Sequence, residues 1–222
     1  MPVTDPRYPR HAHLWPLISQ RLPVAELAHD AEHVLRVYRW CLLLAPEAGV
    51  DADEAGAAGL VHDVVFIPKH LADRPLGGER SAAVAADLLP RCGYDEEETV
   101  RVVEAVRTCS WSRGLVPTAG LGRVLQDADR LDAIGAIGLA RLFGTAQFMA
   151  QATGVGAFYH PGDPAATGER ELDDRRWAVD HMRRKLLRLA DGMHLATARL
   201  EAERRHARLV VFLEDLLAEV KG

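Results

Sequence analysis

Ala57-Ala58-Gly59-Leu60-Val61-His62-Asp63-Val64-Val65 is the stretch on which the reading of this chain turns. It is an apolar helix end with one imidazole and one carboxylic acid set side by side in it. An ionisable pair in an Ala/Leu/Val run costs free energy unless something compensates for it, and a bound metal ion is one such compensation. The small residues before the pair let a neighbouring helix approach closely.

This stretch closes a helix that begins at Asp51, with Glu54 three residues on at the capping-box position, and that stops by Pro68. Upstream, Leu27, Val34, Val37, Cys41 and Leu44 recur at spacings of three, four and seven, which predicts a helix from Val24 to about Ala45, ended by Pro46 and Gly49. His29, His33 and Arg36 fall on one stripe of it. Downstream, residues 69–78 read as a polar loop and 79–89 as a helix. Asp95 with Glu98 caps the next helix, which runs to about Cys109, and 111–122 is loop. Arg123 to Phe143 reads as one long helix carrying Asp127, Asp129, Arg130 and Asp132 in its first half. Gly135 and Gly138 read there as sites of tight packing rather than as a break. A Gly/Pro-rich loop over 153–170 precedes helices at 171–189 and 193–220.

Strand-like alternation is nearly absent, so the expected fold is all-α, a helical bundle. The expected layout is an N-terminal arm over 1–23, irregular apart from one helical turn around His13–Gln20 and with surface histidines His11 and His13, a main domain over 24–190, and a C-terminal helix over 191–222 packed on the same domain.

Hydrophobic residues make up 48% of the chain and charged residues 27%, an ordinary globular balance. The net charge of −5 supplies no basic field for polymeric nucleic acid, so an anionic ligand has to be held by local cations or a metal. Cys41, Cys92 and Cys109 form no CxxC pair, which points to a reduced, cytoplasmic setting with the cysteines as small core residues. The proline-rich N-terminus is no signal peptide, and no run approaches the roughly 18 apolar residues of a membrane span.

His33 lies 29 positions before His62, and Asp129 lies 66 after Asp63. In a bundle these separations let three helices present side chains to one point. Two imidazoles and two carboxylates form a mixed N/O set suited to Mn²⁺, Fe²⁺, Co²⁺, Mg²⁺ or Zn²⁺, with room left for water or substrate oxygen. The same residues also fit a plainer arrangement, in which buried His and Asp bond to each other and the acids near Asp127 lie solvated at a helix start. Pattern alone leaves both readings standing.

The motifs resemble those of the HD-domain metal-dependent phosphohydrolases: a His, then a His-Asp pair, then a distant Asp, all on helices. His29-Asp30-Ala31-Glu32-His33-Val34-Leu35-Arg36-Val37 is similar to the first element, Leu60-Val61-His62-Asp63 to the second, and Asp127-Ala128-Asp129-Arg130-Leu131-Asp132 to the third. Val64 to His70, Gln126 to Arg141, and Asp180-His181 with Lys185-Leu186-Leu187 extend the likeness to one bacterial subgroup, over roughly residues 24–190. The resemblance implies an HD-domain helical bundle with His33, His62, Asp63 and Asp129 as ligands of one divalent ion (Mn, Mg, Fe, Co, Ni or Zn, manganese favoured). Asp129 is preferred to Asp127 because the last ligand of the family directly precedes a basic and an apolar residue.

The resemblance further implies hydrolysis of a small phosphate substrate, with nucleotides the favoured class because the subgroup includes enzymes that release pyrophosphate from nucleoside triphosphates. Asp63 is the candidate to orient water, Lys69 and Arg130 to hold phosphate, and His29 to donate a proton or steady the site. His70 and His181 are weaker candidates. Trp111, Trp177, Phe143 and Phe148 are candidates to stack on a base, although core packing suits each better. Two rivals remain: a non-catalytic nucleotide-binding protein of the same fold, and an HD-type di-iron oxygenase. The second needs additional ligands between Asp63 and Asp129, where the only histidine is His70. The expected partners are the phosphate substrate and a second copy of the chain, without membrane or polymeric nucleic acid.

Overall fold

A computed structural model describes residues 3–110 and 113–222. Among these residues the fold is all-α, with no strand and two isolated bridges in the 157–177 loop region. The helices are α1 (Pro9–Ser19), α2 (Ala31–Ala48), α3 (Ala52–Val61), α4 (Gly77–Arg91), α5 (Glu96–Thr108), α6 (Gly120–Asp132), α7 (Gly135–Thr153), α8 (Ala178–Arg184) and α9 (Ala196–Lys221). Short 3-10 turns lie at 74–76, 186–188 and 190–192. The chain divides into two compact units: residues 1–25 with 29–129, and residues 26–28 with 130–222. Among the described residues no single helix is long and apolar enough to cross a membrane.

In the first unit α3 is the central element, and every residue from Glu54 to Val61 is buried. It packs on α1, α2 and α5, while α4 packs on α5. Its glycines are steric requirements. A Cβ at Gly59 would stand 2.8 Å from the Tyr38 Cα of α2 and 3.1 Å from the Cys41 sulfur. The backbones of α2 and α3 therefore meet where only glycine fits. Asp51 caps α3 by accepting from the Asp53 and Glu54 N–H groups. The Glu54 carboxylate turns to Arg101 in a two-bond ion pair.

Asp95 and Glu98 do form the reciprocal box that starts α5. Asp95→Ala removes the acceptor of the Glu98 N–H, keeps the backbone N–H that Glu98 accepts from, and is expected to cost about 1 kcal/mol, which lowers the melting temperature by roughly 2–4 °C for a chain of this size. A melt within a degree of wild type counts against a stabilising box.

Five expectations need correction. The helix of His33 starts at Ala31 rather than Val24, because Asp30 stops it by accepting the His33 N–H as an N-cap. Val24 and Leu27 are accordingly 94% and 69% exposed. The N-terminal arm is not irregular: Pro9 opens α1, and His11, Leu14 and Ile18 at three- and four-residue spacing bury one face of it. His11 is fully buried, not a surface histidine.

The segment over 123–143 is not one helix. Gly135 sits at φ +77°, in the left-handed region, and separates α6 from α7. Gly138 is a tight site as expected, since a Cβ there would overlap the Ala133 carbonyl. Finally, the segment 171–189 is helical only over α8. Asp173 offers its N–H to Asp180, and Arg170 grips the same buried carboxylate through both terminal nitrogens, so side chains rather than helix bonds organise this region.

The second unit holds α7, α8 and α9. Along α9, Ala198, Ala202, Leu209 and Leu213 are buried, and α9 packs on α7. The Arg205 guanidinium donates to the Leu131 carbonyl.

Candidate metal centre

The donors of the site come from three parts of the first unit. His33 lies in the first turn of α2, aimed inward by the Asp30 cap. His62 is the C-cap residue of α3 and Asp63 follows it. Asp129 comes from α6.

His62 Nδ1 lies 2.9 Å from the Gly59 carbonyl oxygen. A carbonyl only accepts, so Nδ1 carries the hydrogen and the Nε2 lone pair faces the other way. There it meets His33 Nε2 at 3.2 Å. The Asp63 Oδ2 lies 3.6 Å from His33 Nε2 and 3.8 Å from His62 Nε2. The Asp129 Oδ1 lies 3.8 and 4.0 Å from the same two nitrogens. Donors each about 2.0–2.2 Å from one ion stand about 3 Å apart when adjacent and about 4.3 Å when opposite. All five separations fall in that interval. Ligand atoms of His33, His62 and Asp129 form a three-way cluster within 4.8 Å of one another.

The protonation pattern suits a cation. Burial pushes the Asp63 carboxyl up, but the imidazoles of His62, His33 and His29 outweigh it and hold it well below the usual carboxylate range. Both imidazoles are buried, whereas the Asp63 and Asp129 side chains keep 28% and 31% of their surface exposed. The nitrogens thus form the closed side of the site and the carboxylates its open side. That polarity leaves an approach for solvent or substrate oxygen.

The other candidates take varied positions. Asp127 is fully buried and lies outside the donor cluster, so Asp129 is the carboxylate that α6 contributes. His29 precedes α2 rather than sharing its stripe, yet its ring stays 5.8 Å from that of His33, edge-on, and 5.1 Å from Phe66. Lys69 and His70 are half-buried in the loop that follows the His-Asp pair. Arg130 is buried and donates to the Gly192 carbonyl.

Asp180 belongs to the Arg170 clasp, and His181 bonds Asp174 at 2.9 Å. Phe143 packs against Phe158 and Phe212, and Phe148 is half-buried. Trp177 lies against His160, with Arg176 over its ring. Trp111 lies outside the described residues. The Gly59 carbonyl that orients His62 could not have been picked out from residue types, because a backbone acceptor leaves no mark in them.

The HD domain model matches residues 30–134, a span that holds His33, His62, Asp63 and Asp129. Together with the relatives below, this places the chain in the HD-domain family. YpgQ of Bacillus subtilis (strain 168) is 32% identical over 198 residues, covering 87% of this chain and 85% of YpgQ. The crystal structure of YpgQ in complex with ADP superposes with a TM-score of 0.69 at 27% identity, covering 95% of this chain and 98% of that one. An HD-superfamily hydrolase from Bacillus thuringiensis gives a TM-score of 0.63 at 27% identity, covering 96% and 99%.

Proposed function

We propose that the protein is a metal-dependent phosphohydrolase acting on a nucleotide phosphoester or phosphoanhydride, pyrophosphate release from nucleoside triphosphates included. The observation that carries this is the cluster of the His33 and His62 nitrogens with the Asp129 carboxylate, with Asp63 within 4 Å of both nitrogens, closed on the nitrogen side and open on the oxygen side. The complex of YpgQ with ADP supports a nucleotide as the substrate class.

His33, His62, Asp63 and Asp129 hold the divalent ion, manganese favoured. Bound there, such an ion supplies Lewis acidity toward a phosphoryl oxygen and a water that ionises near neutral pH. The residues do the rest. Asp63, ionised throughout the neutral range, orients the attacking water through its carboxylate. Lys69, in the loop after the His-Asp pair, offsets charge on the phosphate oxygens as a point charge. His29, beside His33 and shielded by Phe66, is the imidazole placed to exchange a proton at the edge of the site.

The test is metal content of the freshly purified protein, followed by a nucleotide panel with Mn²⁺, scored for phosphate and pyrophosphate. Release of neither from any nucleotide overturns the reading. Metal removal gives a second check. An ion at about a hundred times its Kd adds about 2.7 kcal/mol, so a chelator should lower the melting temperature by roughly 5–11 °C. Mn²⁺ should restore both the melt and the turnover. A melt indifferent to chelator and added metal speaks against a bound ion.

A further inference from the structure

We infer that His11 is an acid-sensitive latch, a neutral imidazole that fastens α1 to α2 and α3 and lets go on protonation. This rests on residues of the first unit other than the metal ligands and does not depend on the catalytic reading.

The bonds around His11 have a fixed direction. Its Nε2 lies 2.9 Å from the Asp53 carbonyl oxygen and 3.2 Å from Asp53 Oδ1. Both are acceptors, so Nε2 carries the hydrogen. Its Nδ1 lies 3.0 Å from the Tyr38 hydroxyl oxygen. That oxygen already accepts the Asp5 N–H at 2.9 Å. The chain therefore runs one way: Asp5 N–H donates to Tyr38, the Tyr38 O–H donates to His11 Nδ1, and His11 Nε2–H donates to Asp53. Four parts of the chain are tied through one ring: the segment before α1, then α1, α2 and α3.

The site has no slack. His11 is 0% exposed and Tyr38 2%. A Cβ at Gly56 of α3 would stand within 3.0 Å of both rings. A proton added at Nδ1 puts a second hydrogen on the Tyr38–Nδ1 line, and one of the two must leave a buried bond.

Charges around the ring oppose one another. On the α3 side Asp53 favours the imidazolium, but its carboxylate already accepts from Arg10 Nε and the Tyr94 hydroxyl. Arg10, of α1, also pairs with Glu98 of α5 and opposes a second cation nearby. Tyr8 and Tyr38 meet the ring at 5.1 and 5.2 Å, and Asp5 adds a weak pull toward the charged form. Burial is the largest of these effects, and it moves the histidine below its ordinary 6.5.

The sign follows. Above the unfolded value of 6.5 both states are neutral and the latch is closed. As the pH falls below 6.5 the unfolded chain takes up the proton first, so stability declines toward the lower native pKa. The first element to lose its hold is α1.

The experiment is nuclear magnetic resonance on the full-length protein, with the His11 ring assigned by comparison with His11→Gln. Glutamine keeps one donor and one acceptor but does not titrate. The expected result is an Nε2–H tautomer at pH 7.5 and a titration midpoint below 6.5. Loss of α1 amide protection should track that midpoint, and it should be absent in His11→Gln over the same range. An Nδ1–H tautomer, a midpoint at or above 6.5, or α1 protection that ignores the His11 titration overturns the proposal. If His11→Gln does not fold, the wild-type tautomer, midpoint and α1 protection decide alone.

Discussion

His62→Ala and Asp129→Ala should each leave a folded helical protein that has lost its divalent ion and its turnover. Removing His62 deletes the donor whose lone pair is aimed by the Gly59 carbonyl, and it leaves His33 Nε2 without its partner at 3.2 Å. Removing Asp129 deletes the single carboxylate that α6 contributes to the cluster. A metal's contribution of several kcal/mol to the transition state corresponds to a loss on the order of a thousandfold or more in kcat/KM. The measurement pairs metal content with single-substrate kinetics and circular dichroism on each variant. An Asp129→Ala protein that keeps one equivalent of metal and full turnover ends the four-ligand assignment. Asp127→Ala is a poor substitute test, since a fully buried Asp127 is bound up with folding.

Gly59→Ala should be nearly as damaging, although Gly59 contributes no ligand side chain. Its Cβ would press 2.8 Å from a backbone carbon of α2, which cannot rotate aside as a side chain can. Overpacking of this kind costs about 1–3 kcal/mol. It also drives α3 away from α2, and with it His62 away from His33. The expected outcome is a melting temperature lowered by roughly 2–12 °C and weaker metal binding by calorimetry. Gly144→Ala is the matched control. It lies inside α7 with nothing within 4 Å of its Cβ position. There alanine should stabilise by about 0.5–1 kcal/mol. Equal and mild effects at both glycines would show that α2 and α3 do not depend on their close contact.

Much of the site was legible in the sequence because its chemistry is carried by rare residue types in unsuitable company. His62-Asp63 stands out within Ala, Leu and Val, and the resemblance of the spaced motifs to the HD-domain family links it to His33 and Asp129. Asp95-Glu98 was equally readable, because a capping box involves only residues three apart. The failures share one cause. Periodicity places the start of α2 too early because Leu27 fits the apolar period, although Asp30 offers the backbone a better local bond. It misses the break at Gly135 because a glycine's φ is not written in its neighbours. It leaves His11 on the surface because a polar histidine is more often exposed than fully buried. Only its register with Leu14 and Ile18 could have argued otherwise.

The sequence by itself determined that the chain is helical and which residue types its candidate site uses, because local periodicity and side-chain chemistry act over a few residues; the family came from the resemblance of its spaced motifs. Only the tertiary structure decided that Asp129 rather than Asp127 meets the two imidazoles and that the Gly59 carbonyl sets the His62 tautomer. It alone decided that His11 is sealed between Tyr38 and Asp53. The placements of Asp129 and His11 depend on how closely helix backbones pass, a distance set by the packing of residues far apart in the chain, whereas the Gly59–His62 bond spans three residues and depends on the turn that ends α3.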